Sequence, residues 1–226
     1  MVWQAGGSQT PESRRMAALH EEFPRSPRPC HPSPMPRPPK PAGPSPTETT
    51  LREAALRHLA RYATTRTGLI AVLDRRIARW LRASDNPETA AETAPTARQA
   101  ARIVADKLVA LGLINDAAFA ENRARTLTRA GRSRRAVAAH LASRGISPET
   151  AQSALPNTPE TERAAAIAHA RRRRLGPFRT IQTDPARLQK ELAAFARAGF
   201  SREIAMQTLH MDRETAEALL HAGREE

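Results

Sequence analysis

The sequence predicts an all-α protein built from tandem three-helix repeats in a curved, elongated array. Three observations carry that expectation. First, ASRGISPETAQSAL, from Ala142 to Leu155, returns 54 residues later as ARAGFSREIAMQTL, from Ala196 to Leu209, with Ala, Gly, Ser, Glu, Ala and Leu in identical register. Both copies close one apolar run at a glycine (Gly145, Gly199), place an apolar residue next (Ile146, Phe200), and open another run at a serine (Ser147, Ser201). Each copy therefore reads as a helix stop followed by a helix start: the glycine takes the left-handed conformation, and the serine oxygen accepts from amides the next helix leaves free. Second, apolar residues beyond the N-terminal stretch recur at helical spacing, with no convincing period of two. Third, each unit spans roughly 50 residues, too few to be firmly stable alone, so neighbours must share apolar faces.

Residues 1–47 are expected to be a disordered, proline-rich tail. Eleven of the 19 prolines lie between Pro24 and Pro46, and that stretch has almost nothing apolar to bury. The first three-helix unit is expected over 48–113. Leu51, Ala55, Leu59 and Tyr62 share one face of its first run; Leu69, Leu73, Ile77 and Leu81 share one face of the second, with Arg75, Arg79 and Arg82 opposite. A polar Ala/Thr/Pro segment, Ala83 to Pro95, leads to a third run carrying Val104, Leu108 and Leu111 that ends at Gly112. The second unit, over 114–156, opens at Asn115 as N-cap, with Asp116 placed to favour the positive helix end. It runs through Phe119, Ala120, Ala124 and Leu127 to Gly131, then through Val137 and Leu141 to Gly145, then through Ala151 to Leu155, where Pro156 breaks the chain. The third unit, over 157–226, repeats the plan. Ile167 and Leu175 lie on a helix expected to stop at Gly176 and Pro177; Leu188, Leu192 and Phe195 follow Asp184; Ile204, Ala205 and Leu209 form the third helix. DRETAEALL, from Asp212, echoes SPETAQSAL and reads as a capping helix.

The chain carries 36 Lys and Arg against 23 Asp and Glu, a formal net charge of +13. Residues 1–47 hold six basic and three acidic groups, so most of the excess lies in the folded part. Only Lys40, Lys107 and Lys190 are lysine. Arginine can grip a phosphate or carboxylate with two parallel hydrogen bonds, and a polyanion or acidic protein surface is the expected partner. A GC-rich genome accounts for the scarcity of lysine as readily as function does, but not for the net charge. Arg123, Arg125, Arg129, Arg132, Arg134, Arg135 and Arg144 fall between Asn115 and Gly145 against two acids, and Arg171 and Arg172 open a second cluster running to Arg174. Their concentration at helix ends predicts a binding edge.

No catalytic constellation is apparent. The seven histidines lack HExxH or paired-ligand spacing, and neither GxxxxGK[ST] nor GxGxxG occurs. Asp116 and Glu121, five apart, face different sides of a helix, so capping is the expected role of Asp116. Cys30 is the single cysteine, which excludes an intramolecular disulfide. No run of 18 apolar residues occurs. The expectation is a cytoplasmic, non-enzymatic monomer with no cofactor, metal or membrane partner.

From Leu113 to Ile146 the chain resembles the RecX family of RecA regulators. Asn115-Asp116, Phe119-Ala120, Arg129, Gly131, Arg134-Arg135, Leu141 and Gly145-Ile146 fall in that family's order and spacing. Thr65-Arg66 with Leu69 and Leu73, and LAAFARAGF through Gly199 and Phe200, extend the likeness to the flanking units, although Gly68 stands where an acid is common and Ala198 where a basic residue is usual. The resemblance implies an array that lodges in the groove of a RecA filament on single-stranded or double-stranded DNA, limits its extension or promotes its disassembly, and lowers RecA activity. The nine arginines would contact filament or phosphate, while Asn115, Asp116, Phe119, Gly131, Leu141, Gly145, Gly199 and Phe200 would hold the repeat. A general helical DNA-binding protein without RecA specificity is the alternative.

Overall fold

Ten α-helices form among the described residues, and each opens on a side chain able to accept from the free amides of its first turn. The structure, a computed structural model, describes residues 43–180 and 184–225. The helices are α1 (Glu48–Leu59), α2 (Arg66–Ala83), α3 (Pro87–Ala110), α4 (Asp116–Arg129), α5 (Arg134–Ser143), α6 (Pro148–Ala154), α7 (Pro159–Arg173), α8 (Pro185–Ala198), α9 (Arg202–His210) and α10 (Arg213–Glu225). Their caps are Thr47, Thr65, Asn86, Asn115, Ser133, Ser147, Thr158, Asp184, Ser201 and Asp212, each accepting from the amide three residues on. The expected tail lies outside the described residues as far as position 42.

Three readings of the sequence are corrected. The segment from Ala83 to Pro95 is helical from Pro87, because Asn86 caps it and Ala90, Ala94, Ala97 and Ala101 bury a continuous small-residue face. Pro95, inside α3, and Ala91, whose carbonyl it leaves without its helix bond, are both exposed, so the break falls on the solvent side of the helix. Tyr62 and Leu111 lie past the ends of α1 and α3 and are 60% and 63% exposed, so neither joins the core. Finally, α7 stops at Arg173 and not at Gly176: Arg174 itself turns left-handed at φ 55°, and the Leu175 amide reaches back to Ala170 O at 2.9 Å. That bond satisfies an orphan carbonyl and swings Leu175 towards the core, offsetting the cost of a side chain in the left-handed region.

Three apolar clusters follow one another along the chain. Leu51, Leu69, Leu73, Ile77, Val104 and Leu108 anchor the first, which also takes in Ile114. Ala120, Ala124, Val137, Leu141, Ile146 and Leu155 form the second. Ile167, Phe178, Phe195, Phe200, Leu209 and Ala216 form the third, with α10 closing over α7.

Successive repeats are joined by a polar lock that occurs twice in the same register. At the start of α2 the buried Thr65 hydroxyl accepts from its own helix and donates to Arg144 O, at the end of α5, at 2.7 Å. The next amide, of Arg66, donates to Asp116 Oδ1 in the first turn of α4 at 2.9 Å. At the start of α5 the buried Ser133 hydroxyl donates to Ala198 O at 2.6 Å, and the Arg134 amide donates to Glu162 Oε2 in the first turn of α7 at 2.9 Å. A hydroxyl suits both caps because its single oxygen accepts from the helix and donates to the facing carbonyl at once, whereas a carboxylate only accepts. Asp116 therefore does cap a helix, but it caps α2. The repeated glycines belong to the same junctions. A Cβ on Gly145 would lie 2.3 Å from Thr67 Oγ1, and one on Gly199 2.7 Å from Ser133 Oγ and 3.4 Å from Arg135 Cβ. At the third copy the cap is Asp184, with no proton to give, and Pro185 follows with no amide, so α8 cannot form this lock with a further repeat.

Candidate partner-binding surface

The helix ends that build the second lock also gather the arginines. Arg125 and Arg129 stand on the outer side of α4, Arg171 and Arg172 on the last turn of α7, and together they edge a groove of about 820 Å³ bounded on its third side by α10. Its floor is the small-residue face of α7, Ala164 and Ala168, and Leu219 and Leu220 of α10 form the opposite wall. Leu219 is 37% exposed. A recess of about 480 Å³ continues the groove along α7, sharing Thr161, Ala164 and Leu219 with it. The α7 helix lies against α4 because its neighbouring face buries Ala165, Ala166 and Ala170, which lets backbones approach closely. Arg172 Nη1 ties the two helices by donating to Ala130 O at 2.8 Å.

The remaining arginines sort by what they touch. Arg123 Nε donates to His140 Nε2 at 3.1 Å, which places the imidazole proton on Nδ1. Burial depresses the His140 pKa first, and the charges of Arg123, Arg144 and Arg132 depress it further. His169, buried against Phe195 and Phe200 with no hydrogen-bond partner at either ring nitrogen among the described residues, is likewise held below its ordinary pKa, by burial first and then by Arg172, Arg173 and Arg132. Arg132 contributes to the lowering at both imidazoles. Arg134 is engaged internally: its guanidinium donates to Pro156 O and Asn157 Oδ1, bracing the link between α6 and α7. Arg135 stands exposed beside Gly199 at the second lock. Among the described residues, Arg125, Arg129, Arg132, Arg135, Arg144, Arg171 and Arg172 form no ion pair with any carboxylate.

Asn115 caps α4, Leu141 is fully buried, Phe119 packs on the second cluster, the Phe200 ring meets His169 at a tilt of 53°, and Gly131 lies against the α7 backbone at His169. Sequence reasoning gave no junction role to Thr65, Ser133 or Glu162 and no part in a binding surface to Leu219 and Leu220. The available signal was that Thr65 and Ser133 are hydroxyl caps opening the second helix of successive units, and that Leu219 and Leu220 end an amphipathic segment.

A family model described as "RecX, second three-helix domain" matches residues 115–155, the span from the α4 cap through α6. A Myxococcus xanthus protein named Regulatory protein RecX is 40% identical over 164 residues, covering 71% of this chain and 84% of that relative. The chain belongs to the RecX family. An Agrobacterium fabrum protein of the same name is 41% identical over 107 residues, 47% of this chain, and the match spans 57% of that relative's length. Two solved RecX structures share the fold. One, described as regulatory protein RecX, aligns with a TM-score of 0.53 at 22% identity over 71% of this chain and 70% of its own. The other, RecX from Lactobacillus salivarius, aligns with a TM-score of 0.52 at 20% identity over 77% of this chain and 97% of its own. Among the described residues no helix is long and apolar enough to cross a membrane, and no group of three or more His, Cys, Asp or Glu is placed to hold a metal ion.

Proposed function

We propose that this RecX chain is a regulatory protein of the RecA recombinase, acting without catalysis of its own, as a cytoplasmic monomer. It binds the RecA filament on DNA and limits the filament's extension or promotes its disassembly. The Myxococcus xanthus relative, which covers 71% of the chain, and the Agrobacterium fabrum relative, which covers 47%, are both named regulatory proteins, which supports the regulatory part of this reading. The observation that carries the rest is the field of exposed arginines without carboxylate partners, fixed across the junction between the second and third repeats by the Ser133 and Arg134 bonds. Such a field offers guanidinium groups to acidic protein surface or phosphate with little internal competition. Arg125, Arg129, Arg132, Arg135, Arg144, Arg171 and Arg172 are the contacts; Arg123 and Arg134 hold the surface in place.

Binding titrations of the protein on naked DNA and on RecA-coated DNA, run side by side at several salt concentrations, test the proposal. Tighter binding to the coated DNA is expected, together with a fall in RecA ATP turnover at substoichiometric protein. Equal binding to both, with a steep loss as salt rises, would instead favour a general DNA-binding protein. The high net charge is what favours that second reading.

A further inference from the structure

The groove between α4, α7 and α10 has two unlike walls, and that contrast narrows what can fill it. One wall presents Arg125 and Arg129, with Arg171 at the end, none of them paired to a described carboxylate. The other presents Leu219 over an alanine floor. A nucleic-acid strand would use the arginines but gain nothing from the leucine wall. Single strands are held by aromatic platforms on which bases stack, and no aromatic side chain lines the groove or the recess that continues it. A ligand matching both walls carries carboxylates on one side and aliphatic groups on the other, and the narrow alanine floor lets a helical backbone settle close to α7.

We infer that this groove seats an acidic amphipathic segment of a partner protein, its apolar side against Leu219, Ala164 and Ala168 and its carboxylates against Arg125, Arg129 and Arg171. The inference rests on the proposed function in one respect: it assigns to part of the same arginine surface a protein ligand in place of phosphate. Arg132, Arg135 and Arg144 do not line the groove and are left for phosphate or other acidic surface.

Fluorescence anisotropy with three probes tests this without RecA: a helical peptide bearing leucines along one side and glutamates along the other, a polyglutamate of the same length, and an oligo-dT of similar charge. The amphipathic peptide is expected to bind most tightly. Leu219→Asp and Arg129→Glu, both at exposed positions, are each expected to weaken it by roughly tenfold, about 1.4 kcal/mol. Polyglutamate should lose less affinity than the amphipathic peptide in Leu219→Asp, because it feels only the added charge and not the lost apolar contact. Equal affinity for the peptide and polyglutamate, or peptide affinity unchanged in Leu219→Asp, overturns the groove assignment. Stronger oligo-dT binding that Arg129→Glu abolishes overturns it in favour of a phosphate surface. If the peptide fails to bind while RecA turnover still falls, the groove assignment alone is lost. If the peptide binds while RecA is unaffected, the assignment stands and the proposed function falls.

Discussion

The junction between the first and second repeats and the junction between the second and third use the same pair of hydrogen bonds, yet they differ in what stands behind those bonds. At the first, Thr65 and Arg66 reach Arg144 and Asp116, and Thr67 fills the space above Gly145. The helices of the first repeat meet those of the second less extensively than α4 meets α7. At the second, Ser133 and Arg134 reach Ala198 and Glu162, and α4 also packs along α7, with Gly131 pressed on the His169 backbone and Arg172 bonded to Ala130. The same lock thus serves once as a thin link and once as part of a packed block. The arginine groove lies on the packed block, where its walls are held in fixed relation.

Gly131→Ala should sharpen the contrast most. Its Cβ would fall 2.6 Å from the His169 backbone nitrogen at φ 75°, so backbone must move. A loss of roughly 3 kcal/mol is expected in urea unfolding. Gly112→Ala, at φ 71° but facing open space, should lose only about 1 kcal/mol, and equal losses would remove the close-packing argument.

Next in size are the hydroxyls. Ser133→Ala and Thr65→Val each delete a cap and leave a carbonyl in the facing repeat without its donor, at a cost of about 2 kcal/mol. Hydrogen exchange distinguishes them. Thr65→Val should raise exchange chiefly in α1–α3, whereas Ser133→Ala should raise it through α4–α9, since the second and third repeats open together.

Protonation breaks the comparison in a third way. His169 sits in the second junction only, and burial with its arginine neighbours holds its pKa below the ordinary 6.5. The unfolded chain therefore takes up this proton at higher pH than the folded one. Stability is complete above pH 6.5 and declines as pH falls through the depressed value. His169→Phe, which keeps a ring against Phe195 and Phe200, should remove a slope of up to about 1.4 kcal/mol per pH unit in that range. The lowered pKa of His140 acts in the same direction and leaves a residual slope.

The smallest effect is expected for Glu162→Gln, at a carboxyl whose pKa is pushed up by burial against the opposing pull of the Arg134 amide and charge. Any stability lost through ionising it appears as pH rises through the raised value, so Glu162→Gln, which keeps an accepting oxygen, should change neutral-pH stability by less than about 0.5 kcal/mol. Glu162→Ala should cost about 2 kcal/mol by leaving the Arg134 amide unpaired. Calorimetry on both variants checks the pair.

Much of this architecture was legible because helix ends are written locally. Asn115, Gly131, Gly145, Asp184 and Gly199 each announce a cap or a stop through their own chemistry. The end of α7 was not legible because Arg174 adopts a conformation usually left to glycine, and the start of α3 was hidden by a proline whose lost bond falls on the solvent side. The locks were out of reach for a different reason: Thr65 and Arg144 are 79 residues apart, and only the register of one repeat on the next brings them together. The arginines were visible as a set, but composition could not separate Arg123, Arg125, Arg134 and Arg172, whose guanidinium groups bond within the protein, from the rest. Nor could it show that Leu219 faces Arg129 across a groove.

RecA ATP turnover on single-stranded DNA, titrated with the wild-type chain, with an Arg129→Glu/Arg171→Glu double variant, and with Arg52→Glu on the exposed side of α1, tests the central claim most directly. The wild type and Arg52→Glu are expected to depress turnover at the same low ratios, while the double variant should need at least roughly tenfold more protein. Equal potency of all three proteins, or no effect of any at any ratio, would contradict the account.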